Sequence, residues 1–314
     1  MEGRRLPRRS ILRRFFRREY IALYLMASPA FFYLLLFNYA PMVGMLMAFQ
    51  RFDVQKGFFK SDFIGLKNFE FLFASTDSLI FTRNTVLYHI VYTSTILFMS
   101  VALALMISML RSKRTGKVFQ TIYLMPYFLS WAAVAIAVDA FLAGNGAVNQ
   151  MIGSFTGEAI RTNWYLERSI WAPLLVLLKN WKEVGFSTVL YLAVISGIPT
   201  DYYEAAMIDG ATKLQQARYI TIPHLRLIIA ITLILSMRGI MSGDFGLHFT
   251  VTKNSGFLYP ITDIIDTYVY RGLVNLNNVG MTTAATVYQS TVGLVMILIV
   301  NWIVTKVDPD SSFF

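Results

Sequence analysis

Six apolar stretches alternate with polar segments along the 314 residues, at 21–49, 84–110, 118–142, 170–198, 225–244 and 281–305. A hydrocarbon core about 30 Å thick needs roughly 20 residues of helix at 1.5 Å per residue, and each stretch reaches that length. The pattern predicts an all-α, polytopic membrane protein with six transmembrane helices. Pro41 and Gly44 predict a bend or loosening in the first span, and Pro126 lies inside the third. Ser242, Gly243, Asp244 and Gly246 should break the end of the fifth, which is tolerated at depth where the backbone lines a cavity or is buried in protein.

One polar interruption, 201–223, has punctuation of its own. A helix should start near Asp201, with Thr200 or Asp201 as its cap and acidic side chains at the positive end of its dipole. Gly210 should end it, because glycine weakens a helix interior and admits positive φ. A second helical piece resumes at Lys213 and meets a break or kink at Pro223.

Composition agrees with a membrane protein: 56% of residues are apolar and 15% charged, with mean hydropathy +0.53. The net charge of +10 comes largely from eight arginines in residues 1–20, directly ahead of an apolar run. That placement fits topology and anionic lipid better than nucleic acid. Lysines and arginines number sixteen on the side of both termini and nine on the other, which predicts cytoplasmic N- and C-termini. The chain then divides into a tail at 1–20, one membrane domain at 21–305 and a short tail at 306–314. There is no cysteine, and His89, His224 and His248 form no ligand spacing, so neither a metal nor a redox centre is expected. No phosphate-binding G-x-x-x-x-G-K-[ST] run occurs, so the chain should not hydrolyse ATP by that route.

The 201–223 segment resembles the EAA loop of ABC-importer membrane subunits. Glu204-Ala205-Ala206, then Gly210, Ile220, Ile222 and Pro223, keep the spacing of that motif, with isoleucine at 222 in place of leucine. Further pieces are similar to the LplB-like permeases for complex oligosaccharides, among them IGLKNF at 64–69, QTIYLMPYFLSW at 120–131, WKEVGFSTVLYL at 181–192 and DIIDTYVYRGL at 263–273. The resemblance implies a type I ABC importer transmembrane domain with a cytoplasmic coupling helix, in a bacterial cell membrane. Implied partners are two ATPase subunits that bind ATP and magnesium, a second, homologous permease subunit and an extracellular sugar-binding protein. The chain itself would hold no cofactor and have no catalytic residue. Glu204, Ala205, Ala206, Asp209, Gly210, Ile220 and Pro223 would couple to the ATPase.

Charges inside the spans are the remaining candidates, since ionisable groups at depth usually face protein or water. Lys179, Trp181, Lys182 and Glu183 interrupt the fourth span, with Lys179 about 28 Å and Glu183 about 22 Å from Ile198. They form a candidate substrate pathway together with Tyr191, Arg238 and Asp244. Trp181 and Tyr191, about 80° apart around a helix, are placed to border one cavity. Glu183 should pair with Lys179 one turn away, and Arg238 with Asp244 or Glu183. Two rival functions use the same residues differently. One is an ion-coupled secondary transporter with Glu183 and Asp244 as proton carriers, and the other a docking protein that transports nothing.

Overall fold

The computed structural model describes residues 18–74, 76–110, 112–158 and 161–307. Most of the Arg-rich tail and of the C-terminal tail therefore lies outside the described residues. α1 (Arg18–Leu34) continues through a π-helical turn, Leu35–Tyr39, into a 3-10 helix, Ala40–Phe49. Pro41 has no amide hydrogen for the ladder, so the helix changes its winding there instead of stopping. Strands β1 (Gln50–Arg51) and β2 (Asp62–Phe63) then pair antiparallel in a small hairpin.

The second span is α2 (Thr76–Ser108), which begins eight residues before the apolar run. The third, expected as one helix over 118–142, is α3 (Lys113–Leu124) and α4 (Trp131–Leu142) with a break between them. Pro126 sits in the first turn of a 3-10 segment, Leu129 is extended, and Ser130 caps α4 by accepting from the Ala133 amide at 3.2 Å. The loop expected after it contains α5 (Ala147–Thr156). α6 (Trp171–Ser196) is the fourth span, followed by α7 (Thr200–Ile208), α8 (Lys213–Gln216) and α9 (Ile222–Met237). α10 (Ile265–Leu276) and α11 (Val279–Val307) complete the order.

Five helices are long and apolar enough to cross a membrane, or six if Arg168–Ser196 and Thr200–Ile208, bent by 72°, count as one span. The fifth span is shorter than expected: its helix ends at Met237 and the chain turns through 238–241 into a π-helical segment, Gly246–Val251. Leu247, Val251 and Leu258 in this irregular stretch are fully buried, the condition under which such backbone survives at membrane depth.

α2 and α6 form the most extensive helix pair. Ser100 Oγ donates to the Val184 carbonyl across it at 3.2 Å. Where α6 meets α3, a Cβ at Gly185 would lie 1.8 Å from the Tyr123 carbonyl oxygen, so only glycine lets α3 and α6 approach this closely. Toward the end of the bundle remote from residues 199–223, the far end, Tyr88, Tyr92, Val138, Trp171, Leu175 and Leu258 pack into one cluster. In lipid this packing is cohesive through van der Waals fit, since hydrocarbon gives no aqueous driving force. α1 is different: none of its apolar window is buried by the rest of the chain.

Candidate functional site

The 199–223 segment is built from local rules. α7 starts one residue earlier than expected, with Thr200 inside the first turn and Pro199 at the cap position, where no side chain caps it. Pro199 supplies a fixed, non-helical entry in place of a capping hydroxyl. α7 ends at Ile208 and the chain turns at Gly210, whose φ of +77° is left-handed, while the Ala211 amide donates back to the Ala206 carbonyl at 2.8 Å. Thr212 and Gln215 form a reciprocal capping box that starts α8. Pro223 causes no break: a π-helical turn, Ala217–Thr221, precedes it, and Pro223 occupies the first turn of α9, where its missing amide hydrogen costs little.

One bond ties this loop to the bundle and one closes it on itself. Lys213 Nζ donates to the Met109 carbonyl at 2.6 Å, and within the loop Tyr203 Oη lies 3.0 Å from Thr221 Oγ1. Glu204, Ala205, Asp209, Gly210 and Pro223 are exposed, and Ala206 and Ile220 are half-buried. Met207, Ile208 and Leu214 are exposed at 59, 87 and 75%. The loop thus presents three large apolar side chains uncovered by the rest of the chain, a surface suited to a protein partner.

The far half of the bundle holds the second constellation. Lys179 Nζ bridges Glu183 Oε1 at 2.6 Å and Asp244 Oδ2 at 2.7 Å. The pairing expected between Lys179 and Glu183 is present. Asp244, however, comes from the irregular segment after α9, and it is further held by Trp131 Nε1 at 3.0 Å. Its other oxygen accepts from the Leu247 amide at 3.1 Å, so the carboxylate also starts the π-helical segment. The expected partnership of Arg238 with Asp244 or Glu183 does not form, because Lys179 takes both acids; Arg238 is exposed and away from the cluster.

Lys182, one residue from Glu183, is buried and points elsewhere. Its ammonium donates to the Tyr127 and Leu129 carbonyls at 2.7 and 2.5 Å, satisfying acceptors that the break between α3 and α4 leaves without helical partners. Trp181 lies two residues, about 200° of turn, from Lys179 and is exposed on the opposite side of α6. It does not border the cavity with Tyr191.

Lys179, Glu183, Tyr191 and Asp244 do share one: a cavity of about 1060 Å³ between α2, α6 and the end of α9. Tyr191 is buried, with Oη 3.2 Å from Thr232 Oγ1. Sequence reasoning missed the α2 wall, Tyr88, His89 and Tyr92, and also Ser236 and Ser242. The spacing of Tyr88, Tyr92 and Ile96 at i, i+4 and i+8 was the available signal for one helical face. Behind this wall His248 is buried, its Nδ1 2.8 Å from the Thr262 carbonyl and its Nε2 3.1 Å from Tyr92 Oη. That places the ring proton on Nδ1 and lets Tyr92 donate. His89 Nε2, enclosed beside the cavity, has no hydrogen-bond partner. The cavity therefore combines aromatic faces and hydroxyls with two acids that share one ammonium. Among the described residues no group of three or more candidate ligands could hold a metal ion.

The structure thus combines a multi-span bundle, an exposed helix–glycine–helix loop at one end, and a largely apolar cavity that carries a few charged and hydroxyl groups. Residues 78–309 match the family of binding-protein-dependent transport system inner membrane components, and the chain belongs to that family. It is 32% identical to protein LplB of Bacillus subtilis (strain 168), over 93% of this chain and 91% of that one. It is 31% identical to the polygalacturonan/rhamnogalacturonan transport system permease protein YteP of the same organism, over 93% and 90%. Among solved structures, a bacterial ABC transporter involved in the import of the acidic polysaccharide alginate superposes with a TM-score of 0.81 at 30% identity, covering 95% of this chain and 99% of that chain. The fold is the type I ABC importer permease fold, and these relatives are transport subunits, not enzymes.

Proposed function

We propose that this chain is one of two membrane subunits of an ATP-driven importer that moves acidic oligosaccharides, delivered by an external binding protein, through alternating access. The observation that carries the reading is the 199–223 loop: it matches the EAA spacing, and its apolar residues Met207, Ile208 and Leu214 stand uncovered. An ATPase subunit is the proposed occupant of that surface, which sets the loop and both termini on the cytoplasmic side and the far end outside. Glu204, Ala205, Ala206, Asp209, Gly210, Ile220 and Pro223 transmit its movement. ATP and magnesium belong to the partner.

Acidic cargo is inferred from two relatives, one named for polygalacturonan and rhamnogalacturonan and one for alginate. Lys179, Glu183, Tyr191 and Asp244 line the cavity that sugar would meet from outside, while Lys182 braces the wall behind it. Arg238 makes no ion pair among the described residues and is exposed twelve residues beyond Arg226, about 18 Å along the span. A guanidinium at that depth faces water or a protein partner, since exposure to lipid costs about 2.5–3.5 kcal/mol or more. It is the group offered to a uronate carboxylate on the shared pathway.

The test is uptake of trigalacturonate and of neutral xylotriose by proteoliposomes holding the assembled transporter, with ATP inside and no ion gradient. Gly210→Pro should leave assembly intact and abolish uptake of both sugars. Arg238→Gly should lower uptake of the acidic sugar more than the neutral one. Undiminished transport by Gly210→Pro, or transport driven by a proton gradient without ATP, would overturn the coupling role.

A further inference from the structure

A second concavity, of about 720 Å³, opens on the side of the bundle between α2 and α6 and belongs to neither the loop nor the cavity with Lys179. Leu87, Val91 and Met99 form one wall, and Pro173, Val176 and Leu177 the other. Leu87, Val91, Met99 and Leu177 are exposed, so the groove faces outward from the chain. From Arg83 to Met99 it follows sixteen residues of helix, about 24 Å, which exceeds the roughly 15 Å of hydrocarbon in one leaflet.

The far end of the groove is polar and positioned. Arg83 Nε and Nη2 donate to Asn84 Oδ1 at 3.3 and 3.0 Å, and Nη2 also donates to the Pro260 carbonyl at 3.1 Å. Asn84 is 5% exposed and is itself fixed by donating to the Pro260 and Asp263 carbonyls at 3.3 and 3.1 Å. The guanidinium is thus held by neutral acceptors, with Nη1 unused and no carboxylate within ion-pair distance among the described residues. Arg168 Nε donates to the Phe257 carbonyl, three residues before Pro260, at 2.8 Å, and Arg168 also has no acidic partner among them. Asp263, whose backbone carbonyl holds Asn84, has its carboxylate taken by Arg271 at 2.6 Å.

A fixed cation with a free donor edge at the head of an apolar channel fits a phosphodiester followed by an acyl chain. We propose that this groove is a binding site for an anionic phospholipid, its phosphate on Arg83 and one acyl chain along Leu87, Val91, Val176 and Leu177. Charge complementarity selects the headgroup, because a zwitterionic lipid brings its own cation to a site that already has one. The orientation proposed above puts the site in the outer leaflet; its chemistry does not depend on that reading. Nor does its test require transport.

Native mass spectrometry of the delipidated full chain in detergent would compare phosphatidylglycerol with phosphatidylcholine carrying the same acyl chains. The expected preference for phosphatidylglycerol is about fivefold, the factor for one basic group near an anionic headgroup. Arg83→Gln should bring it to parity, and Val91→Trp, which fills the channel, should lower retention of both lipids. Equal retention by the unmodified chain, or an undiminished preference in Arg83→Gln, would overturn the proposal. So would cross-linking in membranes: the chain has no cysteine, so Leu177→Cys linking to a cysteine on a second permease subunit would show that a protein helix fills the groove.

Discussion

The coupling loop follows the end of α6 and the Lys179 cluster lies about 26 Å back along the same helix, and they are held in opposite ways. The loop's shape comes from bonds that span a few residues: the Thr212 and Gln215 capping box, the left-handed Gly210 and the amide of Ala211 on Ala206. The cluster's shape comes from bonds between distant segments. Lys179 and Asp244 are 65 residues apart, Trp131 and Asp244 113, and Lys182 reaches a carbonyl 55 residues away. A locally determined element can move as a body without being rebuilt, which suits a part that must follow an ATPase. A cluster assembled from α4, α6 and the end of α9 changes whenever those elements shift, which suits a wall that opens and closes.

The largest way to break this contrast is at the point where α6 is pinned between the two. Gly185→Val adds a side chain where even a Cβ would sit 1.8 Å from the Tyr123 carbonyl, and backbone, unlike the end of a flexible side chain, has no easy escape. We expect loss of monodisperse protein on size exclusion, because α3 and α6 must separate and strip Lys182 of its carbonyl acceptors. A normal elution profile and melting curve would mean that the two helices do not depend on this contact.

Next in size is Lys179→Met. It leaves Glu183 and Asp244 half-buried without their shared cation, and breaking one partner from a buried ion pair costs about 3–5 kcal/mol. The threefold variant Lys179→Met, Glu183→Gln, Asp244→Asn should recover most of that loss, because no uncompensated charge remains. Thermal unfolding in detergent of the unmodified chain, Lys179→Met, the pair Glu183→Gln with Asp244→Asn, and the threefold variant completes a cycle that gives the coupling between the lysine and the two acids. Additive single effects would show that the three side chains do not act as a unit.

The same division explains what could be read in advance. Helix, glycine turn and helix in 199–223 were legible because Gly210 acts within one turn of itself; the Thr212 and Gln215 capping box, equally local, was not used. The pairing of Lys179 with Glu183 was legible for the same reason, as an i, i+4 pair. Asp244 was recognisable as a helix breaker, but its bond to Lys179 depends on how α9 ends against α6, which no spacing states. Arg238 misled by proximity in sequence: six residues from Asp244, it is turned away by the backbone reversal at 238–241. Lys182 had the composition of a pathway residue and turned out to satisfy the broken third span, whose break was visible as Pro126 while its need for a buried donor was not.

The smallest expected effect comes from an ion pair of the same length in another setting. Lys56 and Asp62 meet at 2.7 Å on the hairpin, as Lys179 and Asp244 do, but their side chains are 46 and 64% exposed. The hydrogen bond and charge of Lys56 hold the Asp62 carboxyl below its ordinary value of 3.8, and Asp62 holds Lys56 above 10.5. The acid's contribution is therefore present above 3.8 and fades as pH falls through its lowered folded value; the lysine's is present below 10.5 and fades as pH rises through its raised one. Both are in place at neutral pH, yet water screens an exposed pair and ordering two long side chains opposes it. Asp62→Asn should leave the melting temperature at pH 7 unchanged within error, against the clear fall expected for Lys179→Met. A comparable fall in both would mean that the distance between charges, and not their surroundings, sets the strength of an ion pair in this chain.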